Sequence, residues 1–329
     1  MPPEPAPPHG SAAPGSAEPA PLPERQRPRR LRAGDTVAVV APAGPVPEDQ
    51  LRTGVEHLRS WGLQVRLGEH VGDRHPELDY LAGTDADRAA DLQRAWCDPE
   101  VSAVFCARGG YGCMRLLDRL DWAAMAAAGP KLLVGSSDAT SLHDAVHAHL
   151  DLITVFGPML GTRPFTEQEA AREHLRRSLF EPESTTALGR PETGALVPGR
   201  ARGVTCGGNL SVLAGSLGTA DRPEPPGPGI ALLEDVTEDP YQLDRFTTQL
   251  LRAGWFDRAV GVALGSWTEC GPMDRVRAVL QDRLGDLGIP VLWEVGFGHG
   301  PDQLTAPLGV AAELDAERGV LTALRPALA

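Results

Sequence analysis

The stretch "LLVGSSDATSLHDAV", residues 132–146, runs from apolar residues into Gly135, then through two serines and an aspartate into a helical pattern. A short buried run ending at the start of a helix is a strand-to-helix junction, the repeating unit of an α/β sheet. The same rhythm continues upstream. "DTVAVVAPAG" (35–44) is a β-branched run stopped by Pro and Gly, Leu51 to Trp61 is amphipathic, and "LQVRL" (63–67) is strand-like. Thr84 and Asp85 can cap a helix through Trp96, "SAVFCA" (102–107) predicts a third strand, and "MRLLDRL" leads back to "LLVG". Strands and helices alternating in short units predict a parallel sheet with helices on both faces.

The rhythm changes after Pro158. "TEQEAAREHLRRSLF" (166–180) predicts a helix, and residues 181–200 read as a Pro/Gly-rich linker or long loop. From residue 201 the strands "ARGVTC", "GIALLEDV", "AVGVALGSW", "PVLWEV" and "GVLTAL" are interleaved with only two good helices, which predicts a second, more β-rich domain. One of those helices has clear ends. Asp239 is an N-cap, Pro240 occupies the first helical position, Gln242 completes a capping box, and Gly254 follows the last turn. Leu243, Phe246, Leu250 and Leu251 give that helix one apolar face.

A chain of 329 residues with 42% hydrophobic content suits two globular domains. No apolar run reaches the roughly 18 residues of a membrane span, and the net charge of −13 argues against nucleic acid or an anionic membrane as partner. The five cysteines are odd in number and contain no C-x-x-C, so reduced thiols in a cytoplasm are expected rather than zinc or a disulfide framework. The first thirty residues hold ten prolines and no apolar core of a secretory signal. Arg29-Arg30 is followed by Asp35 and only a strand-length run, which does not suit a twin-arginine signal. The expected division is a disordered tail over 1–32, an N-terminal α/β domain over 33–165, a linker helix and loop over 166–200, and a C-terminal β-rich domain over 201–329.

Four segments carry candidate chemistry. Ser137 stands where a helix dipole and free backbone N–H groups could support a nucleophile, although this segment alone reads more simply as a helix cap by Ser136 or Ser137. "CARGGYGCMRLL" (106–117) ends a strand in a glycine turn able to approach a ligand, without the spacing of a dinucleotide fingerprint. In "LLEDVTEDPYQLDR" (232–245) alternation places Glu234 on the face of Leu232 and Ile230 and turns Asp235 the other way; a salt bridge of one acid to Arg245 is the structural alternative. In "GFGHGPDQLTAPLG" (296–309) His299 lies among glycines, either solvated or a general base. His143 and His147 have metal spacing on a helix, but Asp144 stands where a zinc protease needs Glu and no third ligand is evident, so no metal or other cofactor is expected. Cys206 has no neighbouring base and reads as a buried thiol.

Taken together, "GDTVAVVAP", "ARGGYG", "GSSDATSLH", "FGPM", "GGNLSVLAGSLGT", "LLEDVTEDPYQLDR" and "GFGHG…APLG", in this order over about residues 34–313, resemble the LD-carboxypeptidase family. These are serine peptidases of the murein tetrapeptide carboxypeptidase and microcin C immunity type. The resemblance implies a Ser–Glu–His triad of Ser137, Glu234 and His299, and an oxyanion hole from the backbone N–H of Asp138 and of Gly110. Its fold implies an N-terminal flavodoxin-like domain, resembling class I glutamine amidotransferases, joined to a C-terminal swivelling β/β/α domain. The active site would lie between them. Arg108, Asn209 and Arg245 lie on the matching segments as candidate substrate contacts.

Phe156 departs from the family's usual His before Gly-Pro, and Ser136 replaces a commoner aromatic. The implied function is a cytoplasmic hydrolase of peptidoglycan recycling, often dimeric in this family, that releases the terminal D-Ala of a murein tetrapeptide. Two rivals are a microcin-C-immunity-type peptidase acting on peptidyl- or aminoacyl-nucleotides and a catalytically silent binding protein. The nucleotide rival calls for an aromatic-bearing insertion, whereas residues 160–205 hold no Trp or Tyr, only Phe165 and Phe180.

Overall fold

The β-branched run after Asp35 forms β1 (Thr36–Val40), buried along its whole length. It is an interior strand of a six-stranded sheet in the computed structural model, which describes residues 22–221 and 227–329. β2 (Gln64–Leu67), β3 (Val101–Cys106), β4 (Leu132–Gly135) and β5 (Thr154–Phe156) run parallel to it in the order β5-β4-β3-β1-β2. Both faces are covered, as a parallel sheet requires. On one face Val40, Val104 and Leu133 pack with Leu92 and Trp96 of α2 (Asp85–Cys97) and with Leu142 and Val146 of α4 (Thr140–Leu150). On the other, Val37, Val39 and Phe105 meet Leu51, Val55 and Leu58 of α1 (Glu48–Ser60). Thr84 caps α2 by accepting from Asp87 N–H. The segment "MRLLDRL" lies in a 3₁₀ helix, Cys113–Arg119, ahead of α3 (Trp122–Ala127).

The chain then passes through α5 (Arg163–Thr166) and α6 (Glu169–Phe180) into an eight-stranded sheet. Its parallel centre is β8 (Arg200–Asn209), β9 (Gly229–Val236), β10 (Ala259–Thr268) and β11 (Val291–Trp293). One edge continues antiparallel through β13 (Ala311–Asp315), β14 (Val320–Ala323) and β6 (Ala187–Leu188); β7 (Gly194–Val197) closes the other. α7 (Leu210–Gly215), α8 (Pro240–Arg252) and α9 (Met273–Leu284) pack on one face around Leu233, Leu264 and Trp267. In α8 the Asp239 N–H donates to Gln242 Oε1 at 2.8 Å, and Leu243 and Leu250 are buried.

Three placements differ from the expected division. The 181–200 linker supplies β6 and β7, the two outermost strands of the second sheet. β12 (Ala306–Leu308), from the expected second domain, pairs antiparallel with β5 in the first sheet. Residues 1–21 of the expected tail lie outside the described residues, but 24–32 are fixed. Leu31 is buried, Arg25 Nη1 donates to the His147 carbonyl, and Arg30 N–H donates to Ala329 O. The disordered reading is corrected there: arginines and one leucine find distant partners that composition does not reveal. Phe156 of β5 and Ala306 and Leu308 of β12 share an apolar cluster with Ile230, Leu232, Phe297 and Leu314. The two sheets therefore meet through a shared apolar cluster.

Candidate active site

β4 ends at Gly135, and two residues later Ser137 adopts φ 58°, the left-handed region. A non-glycine residue pays roughly 1–2 kcal/mol to sit there. Ser137 opens a short 3₁₀ turn, Ser137–Ala139, that leads into α4. An N-cap residue takes an extended backbone instead, and Ser136, which does, makes no side-chain cap bond. The junction thus turns the Ser137 side chain out of the strand line. Gly109 lies directly against it: a Cβ there would come within 2.9 Å of Ser137 Cβ and 3.0 Å of its Oγ.

Glu234, near the end of β9, is fully buried with both oxygens occupied. Oε2 lies 2.6 Å from His299 Nδ1, and Oε1 accepts from Asn209 Nδ2 at 3.2 Å. His299 reaches it because Gly298 (φ 118°) lets the loop press close; a Cβ at Gly298 would lie 2.9 Å from Glu234 Oε2. Ser266 Oγ fixes the loop by accepting from His299 N–H at 2.7 Å and Gly300 N–H at 3.1 Å. Arg190 donates to the carbonyls of Gly296 and Asp302, spanning the loop from outside. Burial pulls the His299 pKa down, but the charge and hydrogen bond of Glu234 more than offset it, and the imidazole titrates above its ordinary value.

Asp235 points to α7, where Oδ2 accepts from Ser211 N–H at 2.8 Å. Burial and then the Glu234 charge push its carboxyl up to about 6. Asn209 Nδ2 touches both acids, donating to Asp235 Oδ1 at 2.9 Å. Its own N–H donates to Thr140 Oγ1, at the start of α4, at 3.0 Å. A hydrogen-bonded chain therefore runs from the helix behind Ser137 through Asn209 and Glu234 to His299. Asn209, a candidate substrate contact from the sequence, is buried within this network.

Arg108 is exposed beside the glycine turn, with Nη1 donating to Pro45 O at 2.7 Å. Arg245 lies over the Phe246 ring at 5.2 Å and near Tyr241, and Glu238 feels its charge. Gly110 and Gly112 have φ of 105° and 133°, so the turn can present backbone that other residues cannot. Asp138 is buried and its carboxylate accepts from Cys113 N–H at 2.8 Å. Ser266, Thr140, Arg190 and Arg88 were not singled out from sequence; a lone hydroxyl in an apolar strand such as "ALGSWT" was the one available signal.

His143 Nε2 lies 3.1 Å from Gly135 O and His147 Nε2 3.2 Å from Thr154 Oγ1, both buried, so these rings serve packing. Among the described residues no group of three His, Cys, Asp or Glu is arranged to hold a metal ion. Cys206 is buried and its thiol is pushed up to about 12 by burial. Iodoacetamide at pH 8 is therefore expected to leave activity within about twofold of untreated protein. Loss of activity that tracks alkylation of Cys206 would instead make the thiol functional.

Two family models match the chain, the LD-carboxypeptidase N-terminal domain over residues 37–157 and the LD-carboxypeptidase C-terminal domain over 202–314. A putative carboxypeptidase of Streptomyces coelicolor is 56% identical over 93% of this chain and 98% of its own. The murein tetrapeptide carboxypeptidase of Pseudomonas aeruginosa is 34% identical over 86% of this chain and 94% of its own. The solved structure of MccF in complex with glutamyl sulfamoyl guanosine matches with a TM-score of 0.83 at 25% identity, covering 92% of this chain and 99% of that one. The chain belongs to the LD-carboxypeptidase family, a family of serine peptidases, and has its mixed α/β architecture of two sheets.

Proposed function

We propose that the protein is a serine LD-carboxypeptidase that releases the terminal D-Ala from a murein tetrapeptide. Ser137 is the nucleophile, His299 the base and Glu234 the orienting acid. The observation that carries this reading is the buried Glu234 bound to His299 Nδ1 at 2.6 Å. That bond occupies Nδ1 and leaves Nε2 as the nitrogen able to take a proton. In the proposed reaction Ser137 Oγ attacks the carbonyl at the L-centre of the diamino acid while its proton passes to Nε2. Backbone N–H groups of Gly110 and Asp138 receive the oxyanion. The proton then goes to the departing D-Ala amine, and water hydrolyses the acyl-enzyme by the same route.

The first sheet's parallel order 2-1-3-4-5 supports a flavodoxin-like description of the N-terminal unit. β6 and β7 favour assigning most of 181–200 to the C-terminal unit, with β12 reaching back. Five free thiols suit a cytoplasmic site of action. The proposal includes a homodimer, which light scattering would read.

A carboxypeptidase must hold the free carboxylate of the departing residue, and a site built for that group leaves its donors unpaired when the group is absent. Arg108, exposed beside the glycine turn, is the candidate donor. The expected result is release of D-Ala from the free-acid tetrapeptide, with the amidated tetrapeptide and the pentapeptide ending in D-Ala-D-Ala slower by at least about 10²-fold. Mass analysis of the products checks it. Equal rates on amidated and free-acid forms would overturn the carboxypeptidase reading. Cleavage of an aminoacyl-sulfamoyl nucleoside with none of the tetrapeptide would favour an MccF-like activity instead.

A further inference from the structure

The glycine turn that faces Ser137 is pinned from beneath at three points. Gly44 N–H donates to Gly109 O at 2.9 Å, Arg88 Nη1 donates to Gly112 O at 3.1 Å, and Cys113 N–H donates to Asp138 Oδ2 at 2.8 Å. Arg88 is 1% exposed and its Nη1 also donates to the carbonyl of Pro42. Its Nη2 pairs with Asp85, which Arg115 holds from the solvent side at 2.9 Å. The turn rests on the guanidinium so closely that a Cβ on Gly112 would lie 2.6 Å from Arg88 Nη1. A buried guanidinium costs several kcal/mol in desolvation unless its donors are met; here Nη1 and Nη2 have acceptors, two of them the Pro42 and Gly112 carbonyls, while the buried Nε has none. Asp138 is placed more tellingly still. Its backbone follows Ser137 directly, while its carboxylate grips the far end of the opposing turn.

We propose that Asp138 and Arg88 are positioning residues that fix the glycine turn relative to Ser137, so that the N–H groups of Gly110 and Asp138 converge on one substrate oxygen. The inference rests on the serine-peptidase reading and deepens it. One residue thereby links both halves of the oxyanion site: its main chain supplies one donor and its side chain holds the segment supplying the other. Burial raises the pKa of the Asp138 carboxyl, and the hydrogen bond from Cys113 and then the charge of Arg88 oppose that rise only in part.

The test compares kcat and KM on the free-acid tetrapeptide, with thermal melts and the rate of fluorophosphonate labelling at Ser137. Asp138→Ala is expected to lower kcat and labelling by about 10²-fold with KM within about twofold, the signature of a lost transition-state interaction. Asp138→Asn retains an acceptor for Cys113 N–H and is expected to recover most of that loss. Arg88→Lys, which keeps the charge but loses the fork, is expected to lower kcat by about tenfold at unchanged KM. A folded Asp138→Ala with wild-type kcat, a rise in KM alone, or Asn no better than Ala would overturn the proposal. Should Asp138→Ala not fold, wild-type kcat in Arg88→Lys overturns it equally. Failure of the serine reading is distinguishable, because Ser137→Ala would then remain active whatever these variants do.

Discussion

Ser137→Ala is expected to lower turnover of the tetrapeptide by about 10⁴-fold or more while leaving the melting temperature close to wild type. The size follows from how a nucleophile and its base act as a unit: once Oγ is gone, His299 and Glu234 have no proton to move, and only positioning and oxyanion contacts remain. The fold is expected to persist because Ser137 makes its contribution through backbone shape. Alanine can occupy the same left-handed conformation at a similar cost, and Gly109 still finds a Cβ of the same size against it. Intact-mass analysis with a fluorophosphonate gives a second readout, with one adduct on wild type and none on the variant. A variant that turns over the peptide at the wild-type rate would remove Ser137 from the chemistry. Activity lost together with a collapsed melt would mean that the serine holds structure.

Much of this architecture was open to reading because its strands are short apolar runs with hard stops. "LLVG" and "GIALLEDV" coincide with β4 and β9 because Gly or Pro bounds them on at least one side and every residue between is buried or nearly so. β6, β7 and β12 gave no such signal. Each is two to four residues long and exists only through pairing with a strand distant in sequence, for example Ala306 with Phe156. The Arg-rich segment before Leu31 misleads for the same reason, since its partners Asp151, Glu183 and Ala329 are far along the chain.

The site divides similarly. Strand alternation separates Glu234 from Asp235 by face, but nothing in spacing brings Glu234 to His299, 65 positions away. That pairing was expected only from resemblance. Arg88 sits on an ordinary amphipathic helix, and only the folded chain shows its guanidinium beneath the glycine turn.

Glu234→Gln is expected to lower kcat by about 10⁴-fold, while Asp235→Asn stays within about tenfold of wild type. The difference lies in what each carboxylate touches. Glu234 accepts from His299 Nδ1, which keeps the proton on that nitrogen and leaves Nε2 free; glutamine can turn an NH₂ toward the ring and favour the unproductive tautomer. Asp235 instead accepts from Ser211 and Asn209, one link removed from the ring.

The pH profile separates the two further. His299 must be neutral to act as base, so kcat/KM falls as pH drops through its pKa, and that acid limb is expected above the ordinary histidine value because Glu234 raises it against burial. In Glu234→Gln the raising charge is gone while burial remains, so the residual activity is expected to have its acid limb at lower pH than wild type. Asp235 also raises the His299 pKa, but as a weaker influence, so Asp235→Asn is expected to move the limb downward only slightly. Steady-state rates from pH 5 to 9 on both variants measure this directly. Greater damage from Asp235→Asn than from Glu234→Gln, or an acid limb unmoved in Glu234→Gln, would assign the orienting role to a different carboxylate.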